Sequence, residues 1–318
     1  MARGPITHDA RGATAGVGRA VAIGNFDGVH RGHARLVGDA ILAAKRGGLE
    51  ACVLTFSPHP AKVLAPDRAP PLLLTLERRI ELLFELGVDH VIVQPFDAAL
   101  ASLPPRAFVE HLLRDALCAR VVCVGYDFNF GAKRAGNATT LGELGSELGF
   151  TASVTPAVRV RGQVCASTTI RSRLGGGEIE EAAALLGRPP ELEGQIVRGA
   201  GRGRTIGIPT ANLALSTEVR PAQGVYAGWA VLADGTRYRA AINVGTNPTF
   251  TGTGSPVTVE AHLLDFDADL YGAPLRLALT KRVRAEKRFD SKDALVAQIH
   301  ADIAFARTAE PAPLPPID

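Results

Sequence analysis

Apolar and polar positions fall into two different patterns along the chain. Through about Leu174, apolar runs of strand length alternate with stretches whose apolar residues recur at helical spacing. Arg19 to Gly24 reads as a buried strand, and from Gly32 the residues Leu36, Val37, Ala40, Ile41 and Ala44 share a helical face. Lys45, Arg46 and Gly47 supply the charge and the glycine that end such a helix. A second strand, Leu49 to Phe56, completes a βαβ unit and so predicts a parallel sheet. Thr75 can cap a helix carrying Leu76, Ile80, Leu83 and Phe84, with Gly87 closing it before the strand His90 to Phe96. A helix from Pro105 to Leu117 precedes the strand Arg120 to Gly125, and Thr140 to Leu148 precedes the strand Phe150 to Val154. The alternation predicts an α/β fold with a doubly wound parallel sheet, whose ligands bind beyond the carboxyl ends of the strands. The loops Phe26 to His33, Ser57 to Pro60 and Tyr126 to Arg134 are expected to gather there.

Beyond Gly187-Arg188-Pro189-Pro190, read as a domain boundary, the period becomes two. Val225 to Leu232 and Tyr238 to Val244 flank the hairpin signal Ala233-Asp234-Gly235-Thr236, and Val257 to Phe266 and Leu275 to Val283 add further strands. A final helix, capped by Ser291, carries the stripe Leu295, Ile299 and Ile303. The second domain is expected to be a small antiparallel β-barrel with a closing helix. Residues 1 to about 18 read as a loose leader, and the Pro-rich tail from Pro311 as disordered.

Composition changes this picture little. At 318 residues, two domains are the prior expectation. A net charge of +3 without long basic blocks gives no case for nucleic acid as a partner. No apolar stretch approaches the ~20 residues that span a bilayer, so no membrane association is expected. Cys52, Cys118, Cys123 and Cys165 form no CxxC pair and read as free thiols in a reducing, cytoplasmic setting.

Two stretches carry chemistry. His30 and His33 stand three apart where a strand turns into a helix, and the helix N-terminus favours phosphate. Spacing alone leaves metal, core and phosphate readings open, although no third ligand at metal spacing is found. The second stretch, Arg198 to Leu213, is glycine-rich and basic but is not a Walker A loop. Its backbone can hold phosphate, and Thr210 and Asn212, two apart on an extended segment, offer neutral oxygens to Mg²⁺. Asp265, Asp267 and Asp269 lack a full calcium-loop pattern and read as a solvated acidic turn.

Gly24-Asn25-Phe26-Asp27-Gly28-Val29-His30-Arg31-Gly32-His33 resembles the HxGH signature of nucleotidylyltransferases. With Thr55-Phe56-Ser57-Pro58-His59-Pro60, Val124 to Gly131 and Ser167-Thr168-Thr169-Ile170-Arg171, it resembles the adenylyltransferase module of bacterial bifunctional riboflavin kinase/FAD synthetases. Gly207-Ile208-Pro209-Thr210-Ala211-Asn212 is similar to the riboflavin kinase signature, supported by Gly224-Val225-Tyr226, Asn243 to Phe250, Val259 to Phe266 and Arg284-x-Glu286-x-x-Phe289. Two departures stand out: Ala166 where the family usually has serine, and Arg198 where it often has histidine.

The resemblance implies an adenylyltransferase domain over 18–186 and a kinase domain over 187–308. It implies riboflavin, FMN, FAD and ATP as partners, with Mg²⁺ brought by ATP, and is compatible with a homo-oligomer. His30, His33 and Arg171 would stabilise phosphate charge during adenylyl transfer, and Gly24, Phe26, Asp27, Ser167 and Thr168 would hold ATP. Phe56, His59, Asp127 and Asn129 would face the flavin, Asp127 also helping to seat the nucleotide. In the kinase, Glu260 would be the base, Gly199, Arg204 and Gly207 would hold phosphate, and Thr210 and Asn212 would hold the metal. The FMN phosphate reaches the first centre already ionised, so no base is needed there; the ribityl hydroxyl must lose a proton, so one is needed in the second. A nucleotidylyltransferase for another phosphorylated acceptor is the enzymatic alternative, and a catalytically silent flavin-binding protein the non-enzymatic one.

Overall fold

A computed structural model describes residues 4–199, 203, 206–246 and 257–318. Its chain falls into two compact units, Met1–Pro71 with Leu76–Arg159 and Asp318, and Leu72–Thr75 with Val160–Ile317.

The first unit is built on six parallel strands: β1 (Ile6–His8), β2 (Arg19–Ile23), β3 (Glu50–Ser57), β4 (His90–Pro95), β5 (Ala119–Gly125) and β6 (Thr151–Thr155), in the order β1-β4-β3-β2-β5-β6. Helices α1 (Arg31–Gly47), α2 (Leu76–Glu85) and α4 (Ala138–Leu148) connect them, with α3 running from Pro105–Phe108 into Val109–Ala116. That last segment is wound more widely, the Leu117 amide donating five residues back to Leu112 at 3.0 Å. Every residue of β2 is buried, as expected of a central parallel strand covered on both faces, and this is why it reads as an apolar run. Because β2 lies between β3 and β5, the loops leaving it open at the point where strand order reverses.

The expected loose leader is corrected by β1. Ile6, Thr7 and His8 pair in parallel with Val91, Ile92 and Val93, and the Thr7 hydroxyl lies 2.7 Å from His90 Nε2. A three-residue edge strand carries too little pattern to be seen in sequence.

The second unit contains a closed barrel: β7 (Glu191–Val197), β8 (Ala211–Leu215), β9 (Gly224–Val231), β10 (Arg237–Thr246), β11 (Val257–Leu263) and β12 (Pro274–Arg284), in the cyclic order β7-β8-β11-β10-β9-β12. Closure leaves no open sheet edge. Along β11 the alternation is plain: Val259, Ala261 and Leu263 are buried, whereas Thr258, Glu260 and His262 are half-buried. Helices α5 (Ser167–Gly176) and α6 (Ile179–Leu186) belong to this unit, where the Ala222 amide donates to the Leu174 carbonyl at 2.9 Å. The closing helix α7 (Lys292–Thr308) starts as expected, Ser291 accepting the Ala294 N–H at 3.1 Å. Asp302, only 4% exposed, anchors it to β12 by accepting from Arg284 Nε and Nη2 at 2.7–3.1 Å.

Asp265 is held by both Arg307 terminal nitrogens at 2.6 and 2.9 Å, and Asp269 accepts the Tyr271 N–H, as a solvated acidic turn would. Among the described residues no cluster of three or more His, Cys, Asp or Glu is placed to hold a metal, and no helix is long and apolar enough to cross a membrane. The four cysteines are free thiols.

Candidate active sites

In the first unit, β2 ends in a turn of unusual backbone. Phe26 and Val29 take positive φ angles of 51° and 39°, and both are buried. For a β-branched residue this is strained, and such strain persists only where surrounding structure enforces it. The Val29 amide donates to the Phe26 carbonyl, and the chain then enters α1 with His30 as its cap.

The two histidines cap the helix reciprocally. His30 Nδ1 accepts the His33 N–H at 3.2 Å, His33 Nδ1 accepts the His30 N–H at 3.4 Å, and the rings stack at 3.6 Å. The Phe26 ring meets His33 edge-on at 5.2 Å. An imidazole that accepts at Nδ1 carries its hydrogen on Nε2 when neutral, so both rings are set as Nε2–H donors. The arrangement suits donation to phosphate oxygens at a helix N-terminus, where backbone N–H groups already favour anions.

Asp27 is 3% exposed, and Gly24 donates to the Leu54 carbonyl at 3.2 Å beside the Phe26 ring. Phe56 is mostly withdrawn, 7% exposed and packed edge-on against Phe96 at 5.8 Å. His59 caps the short helix Pro60–Leu64, its Nδ1 accepting the Ala61 N–H at 3.1 Å. Asp127 and Asn129 are exposed on the loop after β5, where the Asn129 amide donates to the Asp127 carbonyl at 2.7 Å. Ser167, Thr168 and Arg171 sit on the first turns of α5, in the second unit. Ala166 is the cap of that helix and supplies no side-chain bond, which is the local cost of the missing serine.

Sequence reading missed Arg79. Only the apolar face of α2 was read from the sequence, yet Arg78 and Arg79 are 7% and 5% exposed. Arg79 Nη1 donates to the Asn25 carbonyl at 2.6 Å and Nη2 to the Phe56 carbonyl at 3.3 Å. Its Nε has no hydrogen-bond partner among the described residues. A buried N–H left so costs about 1–3 kcal/mol.

In the second unit the row of interest crosses three strands. Glu260 on β11 is paired with Asn212 on β8 and, on its other side, with Asn243 on β10. Residues paired in this way share a face, and Thr210, two before Asn212, lies on the same side of the extended chain. Glu260, Thr210 and Asn243 line a cavity of about 560 Å³ with Phe289, Leu295, Ile299 and Ile303. The predicted stripe of α7 therefore faces a cavity and is only half-buried. A second cavity of about 780 Å³ also touches Thr210 and is lined by Arg198, Gly199, Phe266, Asp267 and Tyr271. Arg198 lies 5.6 Å over the Tyr271 ring.

Two local features hold the metal-ligand candidates. A Cβ on Gly199 would fall 2.3–2.6 Å from the Asn212 carboxamide, so only glycine lets the backbone approach so closely. His262 Nδ1 lies 2.8 Å from the Pro209 carbonyl, and because a carbonyl only accepts, that nitrogen carries the hydrogen. Gly207 has φ +77°, a left-handed conformation suited to glycine. Arg204 lies outside the described residues.

A family model for FAD synthetase matches residues 14–169, and one for riboflavin kinase matches 186–309. The bifunctional riboflavin kinase/FMN adenylyltransferase of Escherichia coli (strain K12) is 40% identical over 291 residues, covering 91% of this chain and 92% of that protein. Its counterpart in Bacillus subtilis (strain 168) is 35% identical, covering 89% of each. Among solved structures, one described as a macrolide-efflux protein from Streptococcus pneumoniae is similar at a TM-score of 0.86 and 31% identity, covering 97% of this chain and all of that one. Both halves of the chain, the stacked histidine pair in one and the Asn212–Glu260 row in the other, thus fall within one set of relatives, and the chain belongs to the bifunctional riboflavin kinase/FMN adenylyltransferase family.

Proposed function

We propose that the two activities of this bifunctional riboflavin kinase and FMN adenylyltransferase are divided between residues 187–308 and 18–186, respectively. Riboflavin and ATP give FMN and ADP; FMN and a second ATP give FAD and pyrophosphate. The observation that carries the division is that the histidine pair and the Asn212–Glu260 row stand in different compact units.

In adenylyl transfer, the FMN phosphate attacks the α-phosphorus of ATP and pyrophosphate leaves. The reacting groups are anionic, so the work is positioning and charge stabilisation. His30 and His33 donate from Nε2, and the helix N-terminus adds its N–H groups. Gly24, Phe26 and Asp27 shape the nucleotide side, and Asp127, Asn129 and His59 the flavin side, with Phe56 supporting from beneath. Ser167, Thr168 and Arg171 are assigned to ATP on the family pattern.

In the kinase, Glu260 takes the proton of the ribityl hydroxyl as it attacks the γ-phosphorus. The apolar side of the 560 Å³ cavity, with Phe289, Leu295, Ile299 and Ile303, suits the flavin ring. The neighbouring 780 Å³ cavity, reached through Thr210 and bordered by Gly199 and Arg198, suits ATP, with Gly207 and Arg204 assigned to its phosphates. Thr210 and Asn212 supply two neutral oxygens, which fits Mg²⁺ arriving on ATP with phosphate and water ligands better than a cation held by protein alone. When bound, Mg²⁺ neutralises phosphate charge. Free thiols and the lack of a spanning helix among the described residues support a cytoplasmic setting.

Chromatography of riboflavin incubated with ATP, Mg²⁺ and the protein tests the reading. FMN is expected first and FAD after it; FAD formed from FMN with no conversion of riboflavin would remove the kinase half.

A further inference from the structure

The ladder between β2 and β3 ends at Ile23 and Leu54, with one further bond from the Gly24 amide to the Leu54 carbonyl. Beyond it β2 gives way to the loop that carries Asp27 and His30, whereas β3 runs on beside β4 to Ser57 before the loop that carries His59. Arg79 reaches both strand ends from α2, donating to Asn25 at one and Phe56 at the other. The Asn25 carbonyl also accepts the Thr55 hydroxyl at 3.3 Å. A guanidinium with one N–H buried and unsatisfied is a poor choice for packing alone. Burial pushes its pKa down, while Asp27 and Glu77 push it up, Asp27 being itself buried at the strained turn.

We propose that Arg79 is a positioning residue for adenylyl transfer: by tying the Asn25 and Phe56 carbonyls to one guanidinium it fixes the separation of the two strand-end loops. The inference rests on the histidine turn being the adenylyl-transfer centre. Glutamine and methionine at 79 remove the charge and fall short of the carbonyls that the guanidinium reaches, whereas lysine keeps the charge and most of the length and can hold one carbonyl.

The test uses the full-length protein as Arg79→Gln, Arg79→Met and Arg79→Lys, with His33→Ala beside them, and measures both reactions in each preparation. Arg79→Gln and Arg79→Met are expected to lower kcat for FMN adenylylation by roughly 10- to 100-fold through misplacement of the reacting groups. KM for ATP should change much less, riboflavin phosphorylation should stay within twofold, and Arg79→Lys should recover most of the loss. Normal adenylylation in Arg79→Gln, a lysine variant as impaired as the glutamine one, or equal loss of both reactions would overturn it. If Arg79→Met does not fold, the glutamine and lysine variants decide. Loss in His33→Ala with normal Arg79→Gln rejects this inference alone; normal adenylylation in His33→Ala rejects the underlying assignment and the inference with it.

Discussion

Asn212 stands directly opposite Glu260 where β8 pairs with β11. A neutral oxygen donor and a carboxylate are thereby fixed side by side by backbone hydrogen bonding, with no reliance on a flexible loop. In the proposed division of labour, Asn212 serves the metal-nucleotide and Glu260 the hydroxyl that must lose a proton.

Crowding at Gly199 should mimic loss of Asn212. Gly199→Ala drives a methyl group into the carboxamide, so both Gly199→Ala and Asn212→Ala should raise the Mg²⁺ concentration needed for half-maximal riboflavin phosphorylation by roughly 10- to 100-fold. FMN adenylylation in the same samples should change little. A normal Mg²⁺ response in both variants would remove Asn212 from the metal site.

His30 has a capping role and a proposed chemical role, and these separate by substitution. Asn at the cap position can replace the Nδ1 acceptor but cannot place a donor where Nε2–H lies. His30→Ala should lose about 1 kcal/mol of stability and FAD formation together, whereas His30→Asn should recover thermal stability without recovering FAD formation. Full activity in a stable His30→Asn protein would make the histidine structural only.

His90 gives a pH prediction. It is 3% exposed, with Thr7 on Nε2 and Glu50 Oε1 3.4 Å from Nδ1; burial lowers its pKa, against the upward pull of Glu50. The unfolded state therefore binds the proton more readily. The corresponding stability is present above the ordinary histidine pKa of about 6.5 and is lost as pH falls below it toward the folded value. Urea unfolding at pH 7.5 and 5.5 should show a larger drop for the wild type than for His90→Gln, and equal drops would show that His90 does not contribute.

The fold was legible where burial is uniform or strictly alternating. β2 and β3 are apolar because both faces are covered, and β11 alternates because one face is barrel interior. β1 escaped because three residues hold no period, and its stability comes from pairing with β4. The histidine turn and the Thr210–Asn212 segment were visible as motifs, but the mutual capping of the imidazoles and the Asn212–Glu260 pairing are three-dimensional facts. Arg79 was hidden for a physical reason: an arginine on a helix normally implies solvent, and only the fold brings the Asn25 and Phe56 carbonyls within reach of its guanidinium.

The central claim is that two chemically different centres share the chain, one needing no base and one depending on Glu260. Its most direct test measures both reactions in His33→Ala and Glu260→Ala. His33→Ala is expected to lose FMN-to-FAD conversion by roughly 100-fold or more while still phosphorylating riboflavin, and Glu260→Ala to do the reverse. One substitution abolishing both reactions in a folded protein would contradict it.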